Sequence, residues 1–219
     1  MAGKISAAKC KQALETLIRL EQIYPDAHCA LAHRNPFELL VATILSAQCT
    51  DVRVNMVTPD LFRRYPDAST LAAADFEELA EMIRSTGFFR AKAASLIGCA
   101  QAIMTNHDGR VPQSLAELGK LPGVGRKTAN VVLGNAFEIP GMVVDTHVKR
   151  VSFRLGWTTQ TDPEKIEQDL SRLLPEEKWT DTSHILIFHG RQICKAPTPL
   201  CSSCPVAEDC PRHGVTRSK

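Results

Sequence analysis

Apolar residues recur along this chain at three- and four-residue spacing, and strict apolar–polar alternation is essentially absent. Residues 6–24 place Ala13, Leu14, Leu17 and Ile18 on one helical face and stop before Pro25. Asn35, Pro36 and Glu38 supply an N-cap, a proline at the first helical position and an early acid. Phe37, Leu40, Val41, Ile44 and Leu45 then mark a buried helix that ends in Ser46, Ala47 and Gln48. Thr50 or Asp51 caps the next one. Asp75 and Glu78 have capping-box spacing, which predicts a helix running to Gly87. Further helices are expected over residues 90–105, 115–119, 126–136 and 146–155. Asp162-Pro163 opens one that ends at Leu174-Pro175, and a last long one runs to Cys194. The expected fold is all-α.

One stretch departs from plain amphipathic helix. In LPGVGRKTANVV, residues 121–132, a Pro-Gly-Val-Gly turn lies between a short helical run and a second helix. Ser114 and Glu117 have capping-box spacing ahead of the first run, and Gly119 ends it. Ala129, Val132, Leu133 and Ala136 form the apolar face of the second. Gly123 and Gly125 let backbone amides approach something flat and anionic, and the helix N-terminus beginning at Arg126 adds unpaired N–H groups and positive dipole. A phosphate suits such a turn.

Lys127 sits in that first turn, pointing away from the apolar face. A helix N-terminus disfavours an added cation and partial burial disfavours charge, so both favour a neutral, nucleophilic amine able to form a Schiff base. On this segment alone a phosphate-clamping or solvated lysine is the favoured reading. Asp145 follows in VVDTHVKR. The helix over 126–136 spans about 16 Å. The extended residues 139–144 span about 20 Å, enough to return along it and bring Asp145 near Lys127. Asp145 also precedes a helical run and serves as its N-cap, a role compatible with an ionised catalytic carboxylate.

Cys194, Cys201, Cys204 and Cys210 follow a C-x6-C-x2-C-x5-C pattern, with Pro197, Pro199, Pro205 and Pro211 stiffening the loops. This reads as a four-thiolate metal site, and spacing alone leaves zinc and iron–sulfur open. Cys10, Cys29, Cys49 and Cys99 are dispersed in apolar surroundings and are expected to be buried thiols. The seven histidines lack ligand spacing; His147 and His189 are expected to be structural or binding residues rather than catalytic ones.

The hairpin, the aspartate segment, LLVATILSAQCTD at 39–51 and the four cysteines, in this order, resemble the endonuclease III family of the helix–hairpin–helix–Gly/Pro–Asp superfamily of DNA glycosylases. The resemblance runs through nearly the whole chain. It implies a helical barrel over residues 29–139 that carries the hairpin. Residues 1–28 and 140–219 would form a discontinuous iron–sulfur cluster domain, with the active-site cleft between the two. By carry-over Lys127 is the Schiff-base lysine, Asp145 the catalytic aspartate, and the four cysteines hold a [4Fe–4S] cluster, with zinc as runner-up. Gln48 resembles the family's gap-filling glutamine; without the resemblance it reads as a surface helix terminus. Phe88 stands where the family often carries a leucine wedge, although Phe88 or Phe89 reads equally well as a core aromatic. Gly123, Gly125, Arg126 and Lys195 would contact DNA. The loop KAPTPL, 195–200, has Lys195 as its sole charge, fewer than is common in the family, which implies weaker phosphate contacts there.

The implied activity is bifunctional: removal of oxidised pyrimidines from duplex DNA through a lysine Schiff base, then β-elimination 3′ to the abasic site. Partners would be double-stranded DNA with damaged bases or abasic sites, bound by a monomer in the cytoplasm, at the nucleoid if bacterial. An adenine-mismatch glycosylase shares the hairpin, the aspartate and the cluster but typically lacks a lysine at the position of Lys127. A non-catalytic helix–hairpin–helix module would not need Asp145.

Composition adds bounds. The chain has 219 residues, of which 44% are hydrophobic, enough for one large core or two small ones. A net charge of +2 does not by itself announce a nucleic-acid binder. Between Arg84 and Lys127, however, seven basic residues (Arg84, Arg90, Lys92, Arg110, Lys120, Arg126, Lys127) face only Asp108 and Glu117. This is a candidate phosphate-facing strip. No run of eighteen apolar residues is present, and residues 1–15 are too polar for a signal peptide. Eight cysteines without a secretory signal favour metal over disulfides.

Overall fold

The computed structural model describes residues 5–219; the first four residues of the polar N-terminal stretch lie outside them. The described residues are helical, with no strand among them. The helices are α1 (Ala7–Ile23), α2 (Pro36–Ser46), α3 (Asp51–Arg64), α4 (Ala68–Ala72), α5 (Phe76–Met82), α6 (Phe89–Asn106), α7 (Leu115–Leu118), α8 (Arg126–Ala136), α9 (Thr146–Arg154), α10 (Pro163–Leu173) and α11 (Trp179–Gln192). None is long and apolar enough to cross a membrane.

The chain divides into two compact units, Cys29–Ile139 on the one hand and the described residues up to His28 with Pro140–Lys219 on the other. Each has its own apolar core.

In Cys29–Ile139 the organising element is α2. Asn35 caps it, its Oδ1 accepting from the Glu38 amide at 2.9 Å. From Leu39 to Leu45 every residue is buried, so the helix is apolar all round and packs against α3, α6 and α8. Thr50 caps α3. Asp67 and Thr70 form a reciprocal capping box at α4, a helix the hydrophobic pattern does not reveal.

The two predicted capping boxes form only by half. Asp75 and Ser114 each accept from the amide three residues on, but the glutamates have better partners. Glu78 takes a two-pronged bond from Arg64, at 2.6 and 3.0 Å, and Glu117 pairs with Lys120 at 2.7 Å. An ion pair with a guanidinium is stronger than a second bond to a cap amide. The helix expected to reach Gly87 ends at Met82, and Arg84–Thr86 continue as a 3-10 turn.

In the other unit α1, α9, α10 and α11 surround Leu17, Leu20, Val148, Ile166, Leu170 and Leu186, all fully buried. Asp162 caps α10 and Pro163 opens it, as the sequence predicts. Residues 139–144 take no regular structure; two of their amides are held by side chains of α11, Gly141 by Thr180 and Val143 by Ser183.

Candidate active site and cysteine cage

The hairpin is built inside Cys29–Ile139. Ser114 caps α7, and tight turns follow, with the Leu121 amide donating to the Leu118 carbonyl and the Val124 amide to the Leu121 carbonyl, each at 3.1 Å. Buried Leu121 and Val124 anchor the loop. The two glycines are there for different reasons. Gly123 has φ +76, and a Cβ there would lie 2.7 Å from Ser95 Cβ on α6, so the protein's own packing demands glycine. Gly125 has φ −91, and a Cβ there would meet nothing within 4 Å. Gly125 is the N-cap of α8 and offers no side chain to its first-turn amides, the kind of helix start at which anions bind. Arg126 and Lys127 are exposed beside them. Partial burial, expected for Lys127, is absent: the first turn of α8 stands clear of the core that takes Ala129, Val132 and Leu133.

Gln48 and Phe88, both in this unit, are exposed in left-handed backbone, at φ 53 and φ 48. Phe88 is 67% exposed, whereas Phe89 packs against the core, so Phe88 is the aromatic that points outward. The basic strip is a correction. Lys92 is 6% exposed and its Nζ donates to the Leu45 and Thr86 carbonyls, each at 2.8 Å. Arg90 pairs with Glu77, Arg84 with Glu81 and Lys120 with Glu117, two of these acids lying upstream of Arg84. Arg110, Arg126 and Lys127 are exposed.

Asp145 belongs to the other unit, where it caps α9. Its Oδ1 accepts from the amides of His147 and Val148, both at 2.8 Å, so Oδ2 takes no part in the cap. Burial lowers the pKa of the neighbouring His147, with Arg150 and Arg191 adding to the effect and Asp145 opposing it.

Cys194, Cys201, Cys204 and Cys210 line one pocket, partly open to solvent, together with His189, Arg154 and apolar side chains. Among the described residues no three His, Cys, Asp or Glu side chains gather tightly enough to hold a metal ion. Burial raises the thiol pKa values of Cys204 and Cys210, and the other cage sulfurs add to the rise. Two arginines of α9 brace the cage. Arg154, buried, donates through Nη1 to the Cys194 carbonyl (3.3 Å), the Lys195 carbonyl (2.8 Å) and Cys194 Sγ (3.4 Å). Arg150 donates to the Cys194 carbonyl through Nε and to the Gly190 carbonyl through Nη2. Sequence pattern gives no sign of either arginine, because both act on backbone about forty residues downstream. Lys195 is exposed. Of the dispersed cysteines only Cys99 is buried; its thiol is pushed up to about 12 by burial. Cys10, Cys29 and Cys49 lie at core edges, half-buried.

An all-helical chain with an uncapped glycine hairpin and a four-cysteine cage has the makings of a DNA-binding helix–hairpin–helix protein. The profile of the HhH-GPD superfamily base excision DNA repair protein matches residues 41–176. Endonuclease III of Synechocystis sp. is 55% identical, covering 94% of each chain, and endonuclease III of Bacillus subtilis is 47% identical, covering 95% of each. A solved structure of a trapped endonuclease III–DNA covalent intermediate, an estranged-adenine complex, superposes with a TM-score of 0.88 at 46% identity, covering 93% of this chain and 96% of that one. The chain belongs to the HhH-GPD superfamily and, within it, to the endonuclease III family of DNA glycosylases and AP lyases.

Proposed function

We propose that this enzyme removes oxidised pyrimidines from duplex DNA and cleaves the abasic site it creates, using Lys127 as nucleophile and Asp145 as the stabilising carboxylate. The observation that carries the reading is Lys127 itself: an exposed amine in the first turn of α8, directly after the Gly125 N-cap, which has no side chain to cap that turn. The likeness to a covalent endonuclease III–DNA intermediate supports it, since such an intermediate requires an enzyme nucleophile.

Lys127 Nζ attacks the sugar C1′, the C1′–N bond breaks and the base leaves with its electron pair. Asp145 stabilises positive character on the sugar and helps to manage the proton released from the attacking amine. The imine acidifies the neighbouring C2′ proton, whose loss expels the 3′ phosphate. DNA closing over Lys127 supplies the desolvation that the protein alone does not. Gln48 and Phe88 fill the space vacated by the extruded nucleotide.

The four cysteines hold a [4Fe–4S] cluster in this reading. Four thiolates would hold zinc or an iron–sulfur cluster equally well; the likeness to the endonuclease III family favours the cluster. With all four ligands from protein the cluster has no open position, so its contribution is to staple the fold. Arg154 and Arg150 then fix the Cys194 backbone and the start of the Lys195 loop.

Borohydride reduction in the presence of abasic duplex tests the nucleophile. Wild type is expected to form a covalent adduct and Lys127→Ala to lose it; equal trapping by Lys127→Ala would assign the step to another amine and overturn the mechanism.

A further inference from the structure

Lys92 is a buried amine that the mechanism does not use. It is the fourth residue of α6, it is 6% exposed, and no carboxylate bonds to it. Its three bonds converge on two turns. Nζ donates to the Leu45 carbonyl, one of the last carbonyls of α2, which helix geometry leaves without an intrahelical partner. Nζ also donates to the Thr86 carbonyl, one residue before Gly87. The Lys92 backbone amide donates to the Phe88 carbonyl at 3.0 Å. Gln48 lies three residues beyond Leu45, and Phe88 two beyond Thr86. Both are exposed and left-handed, a conformation that non-glycine residues hold only when their surroundings dictate it.

A lysine placed merely to fill the core would leave its amine unmatched, and a hydrocarbon side chain would fill that space at less expense. The amine has work only if those carbonyls must be held. Two N–H donors suffice for two carbonyls, so the tether survives even where burial lowers the pKa of Lys92. A cation at the end of α2 is further favoured by the helix dipole.

We propose that Lys92 is a positioning residue that fixes the spacing between the Gln48 turn and the Phe88 turn, so that both side chains enter the same gap in the duplex. This rests on the gap-filling roles assigned above to Gln48 and Phe88. A single amine bonded to both turns makes them one rigid wedge. Without it, each turn keeps its own short-range bonds but loses its register with the other.

The test uses the full-length holoenzyme and Lys92→Met, which replaces the amine by an apolar chain of similar length. Strand cleavage is measured on abasic duplex and on abasic single strand, where no partner strand has to be parted. Duplex cleavage is expected to fall at least about tenfold further than single-strand cleavage, the scale of loss seen when reacting groups are misplaced by a fraction of an ångström to an ångström. A fluorescent adenine analogue opposite the abasic site is expected to lose most of its unstacking signal. In the Gln48→Ala, Phe88→Ala background the same change should add less than about threefold, because coupled residues are not additive.

Equal losses on both substrates, or an undiminished loss in that background, would overturn the proposal. If the Gln48→Ala, Phe88→Ala protein keeps full duplex activity, the gap-filling reading itself falls. If that protein is impaired but Lys92→Met is not, only the role of Lys92 is rejected. Should Lys92→Met lose helicity, Lys92→Gln, whose amide reaches one carbonyl at most, is read in the same assays with the same outcomes.

Discussion

His189 stands between Tyr24 and Cys204, its Nδ1 3.0 Å from the Tyr24 hydroxyl and its Nε2 3.7 Å from the cage sulfur. Burial holds the imidazole down to about 4, so it is neutral at pH 7. Burial, with the charges of Cys204 and Cys194 adding, pushes the tyrosine hydroxyl up to about 12. A neutral pair in which Tyr24 donates to Nδ1 leaves the Nε2 proton aimed at Cys204. Tyr24→Phe removes that donor while keeping the ring. It is expected to lower stability by about 1–3 kcal/mol, the cost of an unmatched buried polar atom. Urea denaturation of the holoprotein measures it, and an unchanged midpoint would mean that the bond contributes nothing net.

Gly123→Ala and Gly125→Ala should separate folding from binding. The first forces a Cβ into left-handed backbone and against Ser95. A loss of stability of about 1–3 kcal/mol is expected, visible as a lower thermal midpoint. The second adds a methyl group to open space at ordinary φ, so stability should stay within about 0.5 kcal/mol, while affinity for abasic duplex falls about tenfold as the phosphate is pushed away from the amides. Unchanged affinity of Gly125→Ala would remove the hairpin from the DNA contact surface.

Asp145→Asn is the matching test of the carboxylate. Asparagine caps a helix as well as aspartate does, so α9 should keep its start. Base removal is expected to fall by about 10²- to 10⁴-fold with DNA binding largely kept. Turnover at the wild-type rate would reduce Asp145 to a cap.

A pH prediction comes from Glu38, buried in the first turn of α2. Burial raises its pKa, but the Arg34 bonds outweigh that and hold the carboxyl below its usual value. Arg34 donates through Nη2 and Nε to Oε1 at 2.6 and 2.9 Å, and its backbone amide donates to Oε2 at 2.7 Å. A depressed carboxylate adds stability that is fully present above the unfolded pKa of about 4.3 and is lost as pH falls through the lower folded value. Glu38→Gln should therefore be less stable than wild type at pH 7, the gap closing as pH drops below 4.3. A gap of constant size across that range would show that the pair does not titrate as argued.

The cage predicts bound iron with broad visible absorbance that disappears in Cys204→Ser. Metal analysis that finds zinc in a colourless protein would replace the cluster by a single ion.

Much of this molecule is written locally. Asn35-Pro36, Thr50, Ser114, Asp145 and Asp162-Pro163 mark helix starts because capping is decided within three residues, and all five cap as the sequence implies. The hairpin is legible for the same reason. What escapes is whatever depends on a distant partner. Lys92 counts as one more basic residue until the Leu45 carbonyl, 47 positions away, is seen to accept from it. Glu78 has capping-box spacing, yet Arg64 claims it from the end of α3, two helices earlier. The left-handed backbones of Gln48 and Phe88 carry no compositional signal, since glycine is the usual mark of such a position and neither is glycine. Which of Phe88 and Phe89 faces outward is decided by that same twist.

If Phe88 is the wedge proposed above, its left-handed backbone bears on how damage is found. An exposed ring on such a backbone, at the start of α6, would give little when pressed against a base step. Deformation during an encounter then falls on the nucleic acid, and base steps differ in how readily they kink. Pairs already loosened by chemistry would then part first, and the mechanical weakness of the lesion would help to select it.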